Sequence, residues 1–285
     1  GNNDNLDEYY ENSYSDDDSD YSSSSANSVH SGAPSMSEIG RKDDSTNAYE
    51  AGKSIGSLMS AYGLNLDLAP VADVLSGNST GIGNRTFGTD AQTVSDMALE
   101  VIRGIQEEDV NAAMKYFPGY GAASSNMSGF PVINSSLDEL KKKEFLPYSN
   151  AIAQGMDFVM VGHISVPNVT GDDTPASLSE KMISEVLRKD LGFKGIVMTD
   201  YLNDKTIVKN YGAADAAVKA IQVGADLLLE PDDLEAAYEG VLKAVKKGDI
   251  TEDRLDESIY RILRVKLSMQ DESSDTTESE SVSDY

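Results

Sequence analysis

Residues 157–163, DFVMVGH, are apolar almost throughout, and a strand written that way has no face left for water. It folds only inside a sheet that is covered on both sides. Four further short runs also read as strands: LNLDLAP (64–70), closed by Pro70, VNAAMKYF (110–117), GIVMTD (195–200) and ADLLLE (225–230). Between them, apolar residues recur at helical spacing over 46–62, 90–108, 137–153, 179–190 and 212–222. A last helix is predicted over about 251–268, with Thr251 as its N-cap. Gly63, Gly155 and Gly224 punctuate the chain ahead of strands. This alternation demands parallel strands joined by right-handed crossovers.

Two architectures satisfy it, an open doubly wound sheet or a (β/α) barrel. No Gly-rich phosphate-binding fingerprint follows any strand. Polar residues instead gather at the C-terminal ends of the runs: Asp73, Lys115, His163, Asp200 and Glu230. A barrel brings these ends to one face, whereas an open sheet spreads them along an edge. The sequence therefore predicts a TIM-type barrel.

Composition bounds the partners. Residues 1–35 hold eight acids and no Lys or Arg, and 270–285 hold six more, again without a base. Such segments bury too little apolar surface to offset ordering entropy, so both are expected to be disordered. They flank one domain, 36–269, which keeps about −12 of the formal net charge of −26. A negative domain makes a poor partner for nucleic acid, whose binding needs clustered Lys and Arg. No apolar run reaches the ~18 residues of a membrane span. The chain has no cysteine, which excludes disulfides, thiolate metal sites and cysteine nucleophiles. Its opening acidic, Ser-rich stretch reads as the spacer of a secreted or cell-surface protein, a lipoprotein included.

Asp200 directly follows a strand-like apolar run. An Asp so placed is commonly a helix cap or turn former; held rigidly at a barrel mouth, it is also a nucleophile suited to glycosyl transfer. Arg85 sits in the Gly-rich stretch GIGNRTFGTD, and Lys115 ends AAMK. A lysine in an apolar run is costly to bury unpaired. Either these cations pair with Asp73 or Asp200, or they grip substrate hydroxyls or an amide carbonyl. His163 reads first as a satisfied structural histidine. The only other histidine is His30, so neither a histidine metal pair nor a Ser–His–Asp triad is available. No metal or other cofactor is expected.

The motifs GLNLDLAPVADV, GIGNRTFGTD, MKYFPGYG, DFVMVGHISVP, DDTPASLS, LGFKGIVMTDYL and VGADLLLEPDD, in that order, resemble the N-terminal barrel domain of glycoside hydrolase family 3. The bacterial β-N-acetylhexosaminidase branch is the most similar. The resemblance covers most of 36–268. It implies a (β/α)8 barrel that cleaves β-linked N-acetylglucosamine, as in peptidoglycan or chitin fragments, with retention and without metal. It puts the nucleophile on Asp200 and substrate-gripping roles on Arg85, Lys115, His163 and Asp73.

The chain departs from that pattern in three places. Tyr116 and Tyr120 stand where the family usually has histidines, and Tyr201 follows Asp200 where Asp or Ala is common. The loop that should carry an Asp–His acid/base reads AASSNMSG, so the dyad falls on Ser125 and Met127 or on Asn126 and Ser128. No His, Asp or Glu occurs anywhere from 110 to 137. Finally, the barrel lacks its N-terminal strands: only five are predicted, too few to close, and open edges invite self-association. Glu230 is a conceivable replacement acid if it lies near the roughly 5–5.5 Å carboxylate separation of retaining enzymes. Two functions stay open: a β-N-acetylhexosaminidase of impaired activity, or a non-catalytic sugar-binding or scaffold protein at the cell surface.

Overall fold

The computed structural model describes residues 34–76, 82–124 and 129–278. Its five strands are β1 (Leu66–Asp67), β2 (Asn111–Phe117), β3 (Phe158–Val161), β4 (Ile196–Tyr201) and β5 (Leu227–Leu229). They lie side by side in chain order and pair in parallel throughout. The sheet curls into part of a TIM-type barrel and carries helices between its strands. Each predicted apolar run holds one strand. β3 is buried at all four positions, as its lack of a polar face requires. The pairs Met160–Met198 and Val161–Thr199 set the register that carries Asp200 to the rim beside β3.

Helix ends follow local chemistry. Asp44, Asp90 and Asp233 accept hydrogen bonds from first-turn N–H groups, and Ser35 and Ser136 form capping boxes with Glu38 and Glu139. The segment predicted as one helix over 137–153 is two, Leu137–Lys142 and Leu146–Ala153. Pro147 explains the break: it lacks an N–H and its ring clashes with the preceding turn, so it fits only the start of a helix. Helices Met36–Lys42, Pro167–Thr170, Lys205–Asn210 and Leu234–Lys247 are additional to the predicted set. Helices Ser45–Ala61 and Ala91–Gln106 touch backbone to backbone. A Cβ on Gly52 would meet the Val101 carbonyl oxygen at 2.2 Å, and one on Gly104 the Tyr49 oxygen at 2.2 Å.

The last helix, Glu252–Glu278, forms a floor under the N-terminal ends of the strands. Thr251 caps it, accepting the Arg254 N–H at 3.2 Å. It runs past residue 268 because no Gly or Pro stops it there. Arg261 reaches Asp226 ahead of β5 at 2.9 Å, and Arg264 reaches Asp157 ahead of β3 at 2.6 Å. Met269 Sδ accepts from the Asn111 amide, at the start of β2, at 3.3 Å.

Most of 1–35 and the very end of 270–285 lie outside the described residues. Among the described residues no helix is long and apolar enough to cross a membrane. The edge strands are short, 2 residues in β1 and 3 in β5, which limits the open edge each exposes.

Candidate active site at the strand ends

Asp200 is the penultimate residue of β4 and follows Thr199, whose hydroxyl oxygen accepts the Leu229 N–H at 3.1 Å and ties the strand to β5. The carboxylate is 5% exposed, and both its oxygens are held. The Tyr201 N–H donates to Oδ1 at 3.0 Å and the Tyr120 hydroxyl to Oδ2 at 3.1 Å. A carboxylate has about four lone-pair directions, so two accepted bonds orient it and still leave lone pairs for attack.

Tyr120 follows the Phe-Pro-Gly corner after β2 and is buried. Its hydroxyl accepts the His163 backbone N–H at 3.0 Å, and its own N–H donates to Asp73 Oδ2 at 3.1 Å. Its ring meets Tyr116 edge-on, with centroids 5.3 Å apart. The Tyr116 hydroxyl accepts from Arg85 Nη2 at 2.5 Å, and the guanidinium lies 5.4 Å from the Tyr116 ring centroid. Lys115 Nζ sits 5.1 Å from the same ring centre. Arg85, Lys115, Asp73 and Asp200 therefore converge through two tyrosines on one rim.

Charge and burial tune this group. Burial pushes Lys115 down to about 8; neighbouring Arg85 acts the same way, while Asp200, Asp67 and Asp73 oppose it. Asp73 is fully buried, which raises it to about 7 against the pull of the Tyr116 and Tyr120 N–H groups and Arg85. Its Oδ1 has no hydrogen-bond partner among the described residues.

The same Lys115 value gives opposite signs for folding and for ligand grip. The unfolded chain holds this proton to about 10.5 and the folded one only to about 8. The unfolded state therefore binds more protons in that window, and Lys115 makes folding stability rise with pH across it. The positive charge of Lys115 is present below about pH 8 and lost above it. A ligand held by that ammonium is expected to bind more weakly above about pH 8, and Lys115→Gln to remove that dependence, as a binding titration across that pH range would show.

His163 is 2% exposed, and both ring nitrogens are engaged. Nε2 lies 2.8 Å from the Tyr201 carbonyl, which only accepts, so Nε2 carries the proton. In the neutral ring, Nδ1 then accepts from the Ser177 hydroxyl at 2.7 Å. His163 thus braces the Tyr201 backbone beside Asp200 rather than facing an open rim. Glu230 is exposed at φ 40°, with the Asn203 amide 3.4 Å from Oε2. The segment 125–128, where the acid/base dyad would fall, lies outside the described residues. Among those described, no cluster of three metal-ligating side chains exists.

The parts played by Tyr116, Tyr120 and Ser177 escape a reading by residue type alone. The usable signal was two tyrosines inside the apolar, Gly-rich corner MKYFPGYG, because a buried tyrosine hydroxyl must find a partner.

A parallel barrel-type sheet whose strand-end rim joins one fixed carboxylate to a guanidinium and an ammonium is a (β/α)-barrel domain with a carboxylate-centred site. The profile of the glycosyl hydrolase family 3 N terminal domain matches residues 23–265, and the chain belongs to that family. It is 30% identical over 242 residues to the beta-hexosaminidase LpqI of Mycobacterium tuberculosis, covering 82% of this chain and 62% of that protein. It is 31% identical over 218 residues to a beta-hexosaminidase of Neisseria gonorrhoeae, covering 73% of this chain and 60% of that one. The structure of a glycoside hydrolase family 3 beta-N-acetylglucosaminidase from Paenibacillus sp. str. FPU-7 superposes with a TM-score of 0.80 at 36% identity, over 84% of this chain and 46% of that one. The chain spans about 60% of the length of these two hexosaminidases.

Proposed function

We propose that the protein hydrolyses β-linked N-acetylglucosaminides by a retaining double displacement with Asp200 as nucleophile, and that it is slow on substrates with poor leaving groups. The observation that carries this is the fixed Asp200 carboxylate, held by Tyr120 and Tyr201 on the rim shared with Arg85 and Lys115. An Asp200 oxygen attacks the anomeric carbon, the glycosidic C–O bond breaks, and the leaving oxygen takes its proton from solvent. Water then displaces the carboxylate from the ester and releases a proton. Arg85 and Lys115 supply donors for the sugar's hydroxyl and amide oxygens, and His163 and Asp73 hold the loops that carry Asp200 and Tyr120. The hexosaminidase and glucosaminidase names of the relatives support the sugar class.

The absence of His, Asp and Glu from 110 to 137 favours a second reading, a sugar-binding protein without turnover. A leaving-group series separates the two. Losing general acid catalysis removes ~10²–10⁴-fold of rate where the leaving group needs a proton. We expect 4-nitrophenyl N-acetyl-β-glucosaminide to be cleaved while alkyl glycosides lag by that factor, with a steep dependence of kcat/KM on leaving-group pKa. A shallow dependence means a proton donor is at work, and binding without any release supports the second reading. The acidic, Ser-rich composition of residues 1–35 supports a secreted or cell-surface location, and the open strand edges support self-association.

A further inference from the structure

Tyr120 is bound more tightly than a rim tyrosine needs to be. Its backbone N–H is spent on Asp73 at 3.1 Å. Its ring lies over Gly162, where an added Cβ would meet Tyr120 Cε2 at 3.1 Å and Cζ at 3.2 Å. Any larger residue at 162 would push the ring away. The Tyr116 ring closes another side.

The hydroxyl direction then follows from elementary bonding. The His163 backbone N–H only donates, so at that contact the Tyr120 oxygen accepts, at 3.0 Å. The single phenolic proton is left for Asp200 Oδ2 at 3.1 Å. The donor is thus aimed at the carboxylate by two bonds and a steric seat.

From this geometry we propose that Tyr120 is a positioning residue for the second half of the reaction: it speeds the departure of Asp200 from its glycosyl ester. The proposal rests on Asp200 being the nucleophile. A hydrogen bond donated to a carboxylate is stronger than one donated to a neutral ester oxygen. In the second step the ester C–O bond breaks, its electron pair returns to Asp200, and a water oxygen bonds the anomeric carbon and loses its proton to solvent. Negative charge grows on Asp200 as that bond breaks, so the Tyr120 bond tightens along the way and lowers the barrier. In the first step the carboxylate loses charge, so the bond weakens, and its orienting effect offsets that loss. Removing the hydroxyl therefore slows the second step selectively. That step is expected to limit turnover of an activated aryl glycoside, whose first step needs no proton donor.

The test is pre-steady-state release of 4-nitrophenol from 4-nitrophenyl N-acetyl-β-glucosaminide, with acid quench and mass mapping of Asp200. In Tyr120→Phe we expect kcat and KM to fall together by roughly tenfold, with kcat/KM much less affected and more glycosylated Asp200 at steady state. In protein carrying 3-fluorotyrosine at 120, a more acidic donor of nearly the same size, kcat and KM should both rise. That variant keeps the test decisive if Tyr120→Phe does not fold. If kcat/KM falls as far as kcat and the adduct does not accumulate, or if fluorination changes nothing, Tyr120 is only structural and the proposal is overturned. If the unaltered protein releases 4-nitrophenol but never carries sugar on Asp200, it is the nucleophile assignment that fails, and this proposal with it.

Discussion

Asp200→Ala is expected to lower 4-nitrophenol release from its N-acetyl-β-glucosaminide by on the order of 10⁴-fold or more, the scale seen when a nucleophile is removed from a site whose binding groups remain. Sugar binding should survive, because Arg85 and Lys115 are positioned by Tyr116 and β2 rather than by Asp200. The variant leaves the Tyr120 hydroxyl and the Tyr201 N–H without their acceptor, so fold retention is to be checked by circular dichroism. Calorimetric binding of N-acetylglucosamine should then show an affinity within a few-fold of the parent protein. Release that persists in well-folded Asp200→Ala would remove the nucleophile assignment. An aryl leaving group is the right probe, since it departs without needing a proton.

The largest expected loss of stability lies away from the rim. The Asp226 side chain is fully buried, and it accepts from Arg188 at 2.6 Å, Arg261 at 2.9 Å, Ser258 at 2.6 Å and the Val197 N–H of β4 at 2.9 Å. Arg254 stands 3.7 Å away. Burial lowers the pKa values of Arg188 and Arg254, and Asp226 opposes that shift in both. Asp226→Ala would leave three arginines crowded together without their counter-charge. Breaking a buried ionic network by removing one partner costs ~3–5 kcal/mol. That is a large share of the ~5–15 kcal/mol that holds a domain folded. A urea titration should show a much lower midpoint at an unchanged slope. Asp249→Ala, which loses only the exposed pair with Lys247, should leave the midpoint where it was. A midpoint in Asp226→Ala equal to the parent's would mean that the floor helix is held by its other contacts, the Arg264–Asp157 pair and its apolar face among them.

Strand positions were legible because a doubly buried strand must be apolar along its length, as FVMV in β3 is. The start of the last helix was legible because a capping residue, Thr251, precedes an apolar stripe. The helix Leu234–Lys247 was missed although it too begins at an Asp cap, because a surface helix shows Leu234, Tyr238 and Leu242 to solvent and so blurs its buried face. At the site, Asp200, Arg85 and Lys115 could be named from their places beside apolar runs and Gly-rich turns. That Tyr120 would link Asp73, His163 and Asp200 could not, because those partners lie 47, 43 and 80 residues away along the chain.

By itself, then, the order of residues determined the alternation of strand and helix, the parallel sheet it forces, and which charged groups stand at strand ends. All of these are local consequences of side-chain burial and capping. The folded molecule alone decided which hydroxyl holds the Asp200 carboxylate, which way the His163 ring carries its proton, and that a single buried aspartate gathers three arginines beneath the sheet. Each of those depends on angles and distances between atoms remote in the chain, and only packing brings such atoms within reach of one another.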